Sequence, residues 1–342
     1  MPRKRTAAHW SKSLVSVMRS ISKTHTRTAI KSAGKALRKL VAQPKTPRGS
    51  GAWTSGVALG PAGARRYQLL TPPGVRASQQ LPLIVMLHGC GQDANAFALS
   101  TRMNSLAVRQ HFMVLYPEQD RLANLQGCWN WYDTDSRRAY REAATIIAAI
   151  DQVALLRRVD PARIAVAGLS AGASMAALLA TRYPARFRAV AMHSGIPPGT
   201  AHSSMSALRA MHGRAEAASP EVASRAAAAT AWPPLLVIHG SADHVVAPSN
   251  GEAAAQLWAE AAGARRAPSR TVQRGQRRAM TVTDFKCRGT TAVTLCSVAG
   301  LGHAWSGGAA GQPFSDASGP DASAMIWSFA SRQFKANDMS SL

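Results

Sequence analysis

The chain of 342 residues is 46% hydrophobic and carries a formal net charge of +24 at pH 7. This length and this hydrophobic fraction provide a sizeable core, in one large domain or in two smaller ones. No apolar run approaches the length of about eighteen residues that crosses a bilayer, so we predict no transmembrane helix.

The positive charge is concentrated at the start of the chain. Residues 1–50 contain thirteen Lys or Arg, and no Asp or Glu precedes Asp93. Apolar residues recur there at helical spacing, at Trp10, Leu14, Val17, Met18 and Ile21 and again at Ile30, Ala33, Leu37, Leu40 and Val41. We predict a basic N-terminal arm and linker over residues 1–50. It is either a helix that contacts a polymer granule, an anionic membrane or another polyanion, or a solvated helix or disordered tail.

Two features bear on the compartment, and they conflict. The arm lacks the apolar segment of about seven or more residues that a secretory signal requires, since its longest candidate is 14–18. Cys287 and Cys296, however, flank Arg288-Gly289-Thr290, which can turn a hairpin and bring the two thiols opposite each other. A disulfide there would indicate an oxidising compartment. No cysteine has the spacing typical of a zinc site, so we predict no metal.

Strands and helices alternate after the linker. The predicted strands are 67–70, 83–87, 112–116, 164–167, 189–192, 235–238 and 293–295, and the predicted helices are 141–158, the segment after Ser170, 251–262 and 321–334. This alternation is typical of an α/β fold in which helices cover both faces of a mostly parallel sheet. Residues 201–231 are predicted to be an insertion or cap between two strands. We predict a catalytic domain over residues 51–336 and a tail over 337–342.

One serine lies between a predicted strand and a predicted helix. Residues 168–172 read Gly-Leu-Ser-Ala-Gly, directly after the apolar run 164–167. In a G-x-S-x-G element so placed, a sharp turn exposes the central hydroxyl, and the glycines leave room for the turn and for helix packing. The helix N-terminus offers free N–H groups to a developing negative charge. We predict Ser170 as a nucleophile and the N–H of Ala171 as an oxyanion donor.

A serine nucleophile needs a base and an orienting acid, which follow the serine in the chain order expected of this fold. Asp243 comes shortly after the strand 235–238, where a loop carboxylate can meet an imidazole, although an Asx-turn is the alternative interpretation. His303 lies among small residues in a loop before the last predicted helix. We predict Asp243 as the acid and His303 as the base.

Other acids and histidines fit these roles less well. Asp160 precedes the strand of the serine and therefore lies at its wrong end, and Asp284 is the remaining acidic competitor. His193 and His239 end buried strands, which predicts histidines that are hydrogen-bonded in the core. His244 is the sequence neighbour of Asp243 and is expected to point away from it.

The second oxyanion donor is expected in the loop after an earlier strand. Residues 88–92 follow the strand 83–87, and Gly89 permits the turn that directs the Cys90 N–H inward; a simple turn is the alternative. Aromatic residues around an Asn in 128–132 predict an apolar wall beside the scissile bond, or else a packed loop. The predicted substrate-binding residues are Trp129, Asn130, Trp131 and Trp305. A disulfide between Cys128 and Cys90 would fix this wall against the oxyanion loop, and the sequence leaves that pairing open.

Seven short motifs occur in order, at 88–92 (HGCGQ), 116–119 (YPEQ), 128–131 (CWNW), 168–172 (GLSAG), 193–195 (HSG), 239–248 (HGSADHVVAP) and 302–305 (GHAW). Together they resemble esterases of the poly(3-hydroxybutyrate) depolymerase family, which are α/β-hydrolases related to feruloyl and acetylxylan esterases. The resemblance runs from about residue 51 to 334. It implies an α/β-hydrolase fold with the nucleophile Ser170, the acid Asp243, the base His303, the oxyanion donors Cys90 and Ala171, and substrate binding by the tryptophan segment.

The resulting hypothesis is a serine esterase that forms an acyl-enzyme and needs no metal or organic cofactor. Its substrate would be a hydroxyalkanoate polymer or oligomer, with a feruloyl or acetyl ester as the alternative, and no obligate protein partner is predicted. A granule- or polyanion-binding protein with the hydrolase domain as a scaffold, and a peptidase, are the rival hypotheses. The resemblance favours secretion, whereas the absence of a visible signal peptide favours a cytoplasmic or granule-associated protein.

Overall fold

A computed structural model of the protein describes residues 51–76, 78–214 and 231–340, with side chains described as far as residue 335. The predicted basic arm at 1–50 lies outside the described residues, as do positions 215–230 of the predicted cap. The described part of the cap contains a short helix. None of the helices in these ranges has both the length and the hydropathy that a membrane span requires.

The described residues contain thirteen strands and seven α-helices. The strands are β1 (Ala52–Gly60), β2 (Gly63–Thr71), β3 (Leu81–Leu87), β4 (Met113–Pro117), β5 (Val159–Leu169), β6 (Ala189–His193), β7 (Leu235–Gly240), β8 (Arg265–Arg266), β9 (Arg270–Val272), β10 (Met280–Cys287), β11 (Thr290–Val298), β12 (Trp305–Ser306) and β13 (Ser315–Asp316). The helices are α1 (Ala94–Thr101), α2 (Met103–Gln110), α3 (Arg138–Leu156), α4 (Ala171–Arg182), α5 (Ser204–Met211), α6 (Ser249–Ala261) and α7 (Ala322–Ser340).

An eleven-stranded sheet forms the centre of the fold. Its strand order is β1-β2-β4-β3-β5-β6-β7-β11-β10-β8, and β9 pairs with β10. The run β4-β3-β5-β6-β7-β11 is parallel, whereas the strands at both edges are antiparallel to their neighbours. The carboxyl ends of the parallel strands therefore lie along one edge, where ligands of such sheets bind.

The central strands are buried on both faces because helices cover both. Every residue of β3 is buried, and its side chains alternate between two cores. Leu83 and Val85 belong to the core that contains α3, α4 and α6, whereas Ile84 and Met86 belong to the core that contains α1, α2 and α7. This alternation is the packing expected of an apolar run in a covered parallel sheet.

The predicted strands and helices are present, with ends shifted by a few residues. Strands β1, β8, β9, β12 and β13 and helices α1, α2 and α5 were not predicted. The hairpin between β10 and β11 is confirmed, but the prediction that its two cysteines lie opposite each other is wrong. The turn is tight, so Cys287 pairs with Thr290, while Cys296 lies across from Val282. Both thiols are free.

Candidate active site

Four strands of the parallel run carry the predicted site residues at one edge of the sheet. The oxyanion loop follows β3, Ser170 follows β5, Asp243 follows β7, and the loop that contains His303 follows β11. Since these strands are parallel and lie within one continuous run, their carboxyl ends bring residues from distant parts of the chain to the same edge.

Ser170 is at a strained turn between β5 and α4. Its backbone has φ 56° and ψ −123°, a positive φ that is uncommon for a residue with a side chain. The turn is held on both sides, since Ser170 N–H donates to the His193 carbonyl at 2.9 Å and the Ser170 carbonyl accepts from the Ala173 N–H at 2.9 Å. A Cβ on Gly168 would lie 2.3 Å from the Gly172 carbonyl group, so only glycine allows this close approach. The half-buried Ser170 thus has the elbow geometry that the motif predicts.

Asp243 and His303 form a hydrogen bond. His303 Nδ1–H donates to Asp243 Oδ2 at 2.8 Å, which fixes the tautomer and leaves Nε2 as the basic nitrogen. Asp243 Oδ1 accepts from the N–H groups of Val245 and Val246, and the Asp243 side chain is fully buried. Burial alone would raise the pKa of Asp243, but hydrogen bonds from His239 and His303 outweigh it and hold the pKa well below its ordinary range. The carboxylate therefore stays charged against the imidazole.

The loops that carry this pair are packed directly against each other. A Cβ on Gly240 would lie 2.1 Å from the Leu301 carbonyl oxygen, so the two backbones touch. Ala242 N–H donates to the same Leu301 carbonyl at 3.0 Å, and Gly300 N–H donates to Ser241 Oγ at 2.9 Å. These contacts fix the relative position of the acid and the imidazole.

Two histidines predicted to lie in the core are confirmed there. His193 is fully buried, and its Nε2 accepts from the Ser306 N–H at 3.1 Å. Burial lowers the pKa of His193 to about 3, which keeps this acceptor free of a proton. The buried His239 donates through Nε2 to the Val246 carbonyl at 3.0 Å. Through its bond to the Ser306 N–H, His193 anchors the loop that carries His303.

The competing acids have other partners. Asp160 is at the start of β5, away from the carboxyl edge, and forms an ion pair with Arg163. Asp284 is on β10, where it accepts from Thr294 and pairs with Arg270. Within the described residues, no group of His, Cys, Asp or Glu is arranged to hold a metal ion.

Cys90 and Cys128 form a disulfide, the pairing that the sequence left open. The loop of Cys90 is also close to the serine, since a Cβ on Gly89 would lie 3.5 Å from the Cβ of Ser170. The N–H groups of Cys90 and Ala171 have no acceptor among the described residues. Both are therefore available to an oxygen bound beside Ser170.

The aromatic segment is inside the protein. Trp129 is fully buried and donates through Nε1 to the His88 carbonyl at 3.1 Å, and Trp305 is fully buried against His193, with ring centroids 5.1 Å apart. Trp131 is 7% exposed, and Asn130 is 1% exposed. The four side chains are buried, and the contacts described here are with other residues of the protein. Direct contact of these residues with substrate therefore remains a prediction.

Sequence reasoning missed a buried polar network beside the oxyanion loop. Glu142 on α3 accepts from the backbone N–H and the side-chain amide of Asn130, and also from the side-chain amide of Gln119. Gln119 also donates to the Cys128 carbonyl and accepts from the buried guanidinium of Arg65. The sequence signals for this network were a Glu among the apolar residues of an amphipathic helix and the presence of Gln119 and Asn130 in two of the short motifs.

Comparison with known proteins gives the family. Residues 65–275 match the Esterase PHB depolymerase family. Over 195 residues the chain is 35% identical to poly(3-hydroxyalkanoate) depolymerase C of Paucimonas lemoignei, a match that covers 52% of this chain and 44% of that protein. Over 116 residues it is 33% identical to feruloyl esterase B of Neurospora crassa, covering 33% of this chain and 39% of that protein.

A solved structure has the same fold. The acetyl xylan esterase from Aspergillus awamori is similar with a TM-score of 0.58 and 19% sequence identity, over 75% of this chain and 94% of that chain. The chain spans less than half the length of the two curated relatives named above. The family match nevertheless covers more than half of the chain, and this protein therefore belongs to the Esterase PHB depolymerase family and has the α/β-hydrolase fold.

Proposed function

We propose that this protein hydrolyses carboxylic esters, with Ser170 as nucleophile, His303 as general base and Asp243 as the acid that orients the base. The observation that carries the proposal is the 2.8 Å hydrogen bond from His303 Nδ1 to Asp243 Oδ2. It leaves the basic Nε2 of His303 to serve the serine, whose strand ends at the same edge of the sheet, as a triad requires. Membership of an esterase family supports the same chemistry.

The reaction would run in two halves. His303 Nε2 takes the Ser170 proton while Oγ attacks the ester carbonyl, and the developing oxyanion accepts from the N–H groups of Cys90 and Ala171. Protonation of the leaving alcohol by His303 gives an acyl-enzyme. Water, deprotonated by the same nitrogen, then attacks the acyl group, and the acid is released with Ser170 restored.

We propose hydroxyalkanoate oligomers or polymers as the substrate class, because the relative that is 35% identical is a poly(3-hydroxyalkanoate) depolymerase. The 33% identity with a feruloyl esterase supports small feruloyl or acetyl esters as the second candidate. Rates on 3-hydroxybutyrate oligomers, methyl ferulate and p-nitrophenyl acetate would separate the two. A preference of at least about tenfold in kcat/KM for the oligomer would favour the first class, and the reverse preference the second.

The catalytic proposal is tested with p-nitrophenyl butyrate and the variant Ser170→Ala. We expect hydrolysis to fall to the background rate of the buffer. Ser331→Ala on α7 is the matched control and should retain full activity, since among the described residues the Ser331 hydroxyl donates to the Ser328 carbonyl of the same helix and to no other group. Turnover by Ser170→Ala at the wild-type rate would refute the assignment.

Contact of the basic arm with a polyanion or granule remains a separate proposal, supported by thirteen Lys or Arg in residues 1–50. Cosedimentation of the full chain with polymer granules at rising salt tests it. Binding that weakens with salt supports the contact, and binding that is unchanged by salt contradicts an electrostatic role for the arm. If the hydrolase domain were only a scaffold, granule binding would persist with no Ser170-dependent turnover.

A further inference from the structure

His239 lies near the end of β7, and its side chain contacts the loop that carries Asp243. Its Nε2 is 3.0 Å from the Val246 carbonyl oxygen. A carbonyl only accepts, so Nε2 carries a proton and donates it. The residue is 2% exposed, and its Nδ1 is buried with no hydrogen-bond partner among the described residues. The Nε2–H is therefore the group through which this ring acts on the loop.

The acceptor of that proton belongs to the turn that holds the acid. Val246 donates its N–H to Asp243 Oδ1 at 2.9 Å, beside the Val245 N–H at 3.0 Å. The carbonyl of the same Val246 accepts from His239, so both of its backbone groups are engaged. Only two dihedral angles separate these groups, because the peptide units themselves are rigid. The bond from His239 therefore restricts the direction in which the Val246 N–H meets the carboxylate.

His239 also lies against the carboxylate itself. Its Nε2 is 3.5 Å from Asp243 Oδ2, the oxygen that accepts from His303 Nδ1–H at 2.8 Å. Oδ2 thus faces two imidazole N–H groups, while Oδ1 is held by two backbone N–H groups. The side chains of His239 and Asp243 are 3% and 0% exposed, so these contacts are shielded from water. A rotated carboxylate would lose some of them.

The first turn of α6 closes another side of the ring. A Cβ on Gly251 would lie 2.9 Å from His239 Nδ1, so the absence of a side chain lets the helix approach this closely. The Gly251 N–H donates to the Pro248 carbonyl at 3.0 Å, which keeps the start of the helix next to the acid loop. The ring of His239 is therefore confined between α6 and the loop 243–246.

We propose that His239 is a positioning residue, which clamps the loop 243–246 through Val246 and thereby directs Asp243 Oδ2 at His303. The inference rests on the proposed function, because the direction of this carboxylate matters to turnover only if His303 is the base. His239 acts through Asp243 and not on the substrate.

Two substitutions separate the donor from the volume of the ring. In His239→Gln the side-chain amide reaches the position of Nε2 and can still donate to Val246. In His239→Met the volume is similar, but no donor remains, and the Val246 carbonyl is left buried without this partner. Phe334→Leu is the matched control, since it removes buried volume from α7, in the core on the face of the sheet away from α6.

Kinetics on p-nitrophenyl butyrate give the first readout. A displacement of about 1 Å at a catalytic group costs about 10²-fold in rate. For His239→Met we expect kcat to fall about tenfold to hundredfold, with KM within about threefold, because Asp243 acts on the chemical step and not on substrate binding. His239→Gln should recover kcat to within about threefold of the wild type, and Phe334→Leu should stay within about twofold.

The second readout observes the Asp243–His303 hydrogen bond directly. A histidine Nδ1–H that donates to a carboxylate gives a ¹H NMR signal far downfield of other N–H signals, and its loss in His303→Gln assigns it. We expect His239→Met to shift or weaken this signal. His239→Gln and Phe334→Leu should keep it at its wild-type position, a pattern that a general loss of stability would not produce.

Wild-type kcat in His239→Met would overturn the proposal, as would a lowered kcat with an unchanged low-field signal. Equal losses in His239→Met and His239→Gln would also overturn it, because the donor would then have no part in the effect. The proposed function fails separately, if Ser170→Ala retains turnover or the wild type has none.

If the variants do not fold, ¹⁵N NMR of the histidine rings in the wild-type protein still tests the donor. A proton on Nε2 of His239 that exchanges slowly with solvent supports the proposal. A ring whose only proton is on Nδ1 overturns it, because no donor would then face Val246.

Discussion

Gly172, in the first turn of α4, lies directly against the carbonyl oxygen of Leu87 at the end of β3. A Cβ on Gly172 would be 2.1 Å from that oxygen and 2.5 Å from the His88 carbonyl oxygen. The helix after the serine and the strand before the oxyanion loop thus touch through their backbones. This contact sets the spacing between the two halves of the proposed oxyanion site.

Gly172→Ala is therefore expected to impair both folding and catalysis. The methyl group meets backbone atoms that cannot rotate away, so we expect the free energy of unfolding to fall by about 3 kcal/mol and kcat to fall severalfold. Urea unfolding and p-nitrophenyl butyrate kinetics measure the two effects. Gly263→Ala is the control: its φ of +58° carries strain, but a Cβ there meets open space. An unchanged kcat in Gly172→Ala would contradict the account of this contact.

Asp243→Asn tests the acid. The amide donates where the carboxylate accepts, so His303 would adopt the other tautomer and lose its basic Nε2. In serine hydrolases with this arrangement such a change lowers kcat by about 10⁴-fold, and we expect a loss of that order. Asp284→Asn is the control, and its activity should remain within about twofold. Comparable losses in both variants would show that Asp243 has no special role.

The buried histidines predict how stability depends on pH. The pKa of His88 is lowered to about 4 and that of His193 to about 3, from an ordinary value of 6.5. The unfolded chain therefore binds more protons as the pH falls below 6.5, and folding stability is lost between about pH 6.5 and 4 through His88 and between about pH 6.5 and 3 through His193. From pH 7 to pH 5 each histidine should cost about 2 kcal/mol. His193→Gln should remove about half of this dependence in urea titrations, and an unchanged slope would contradict the prediction.

The disulfide is expected to contribute to stability and to the loop of Cys90. It closes 38 residues of chain, for which chain entropy predicts about 4 kcal/mol. The double variant Cys90→Ser/Cys128→Ser should lose about 2–4 kcal/mol of unfolding free energy and part of its kcat. Cys287→Ser, which changes a free thiol, should lose neither. Equal stability of the double variant and the wild type would refute a stabilising role.

The sequence predicted that Ser170 lies between a strand and a helix and that Asp243 and His303 follow later strands, because these positions depend on the local order of elements along the chain. Their catalytic roles remain part of the proposal. Asp243 and His303 are 60 positions apart in the sequence, yet their side chains form a hydrogen bond. Neighbouring parallel strands, β7 and β11, bring them together. The alternation of strands and helices along the sequence indicates such a parallel sheet.

Other features were not predictable, for identifiable reasons. Strand β1 has an apolar run of only three residues, 57–59, and two of these are exposed. The sequence signal for α1 was Asp93, whose side chain caps the helix by accepting from the Ala96 N–H. The burial of Trp129 depends on its contacts with His88 and Arg65, and the partners of His88 come from two separate loops. Burial and buried networks of this kind depend on tertiary contacts that a single sequence does not display.

Ser170 is proposed to form the covalent intermediate. The most direct measurement is peptide mapping by mass spectrometry after the full chain reacts with a p-nitrophenyl alkylphosphonate, which leaves a stable adduct on an activated serine. We predict one phosphonyl group, on the peptide that contains Ser170, with loss of esterase activity in proportion to labelling. An adduct on another residue, or full labelling of Ser170 with activity intact, would contradict the claim.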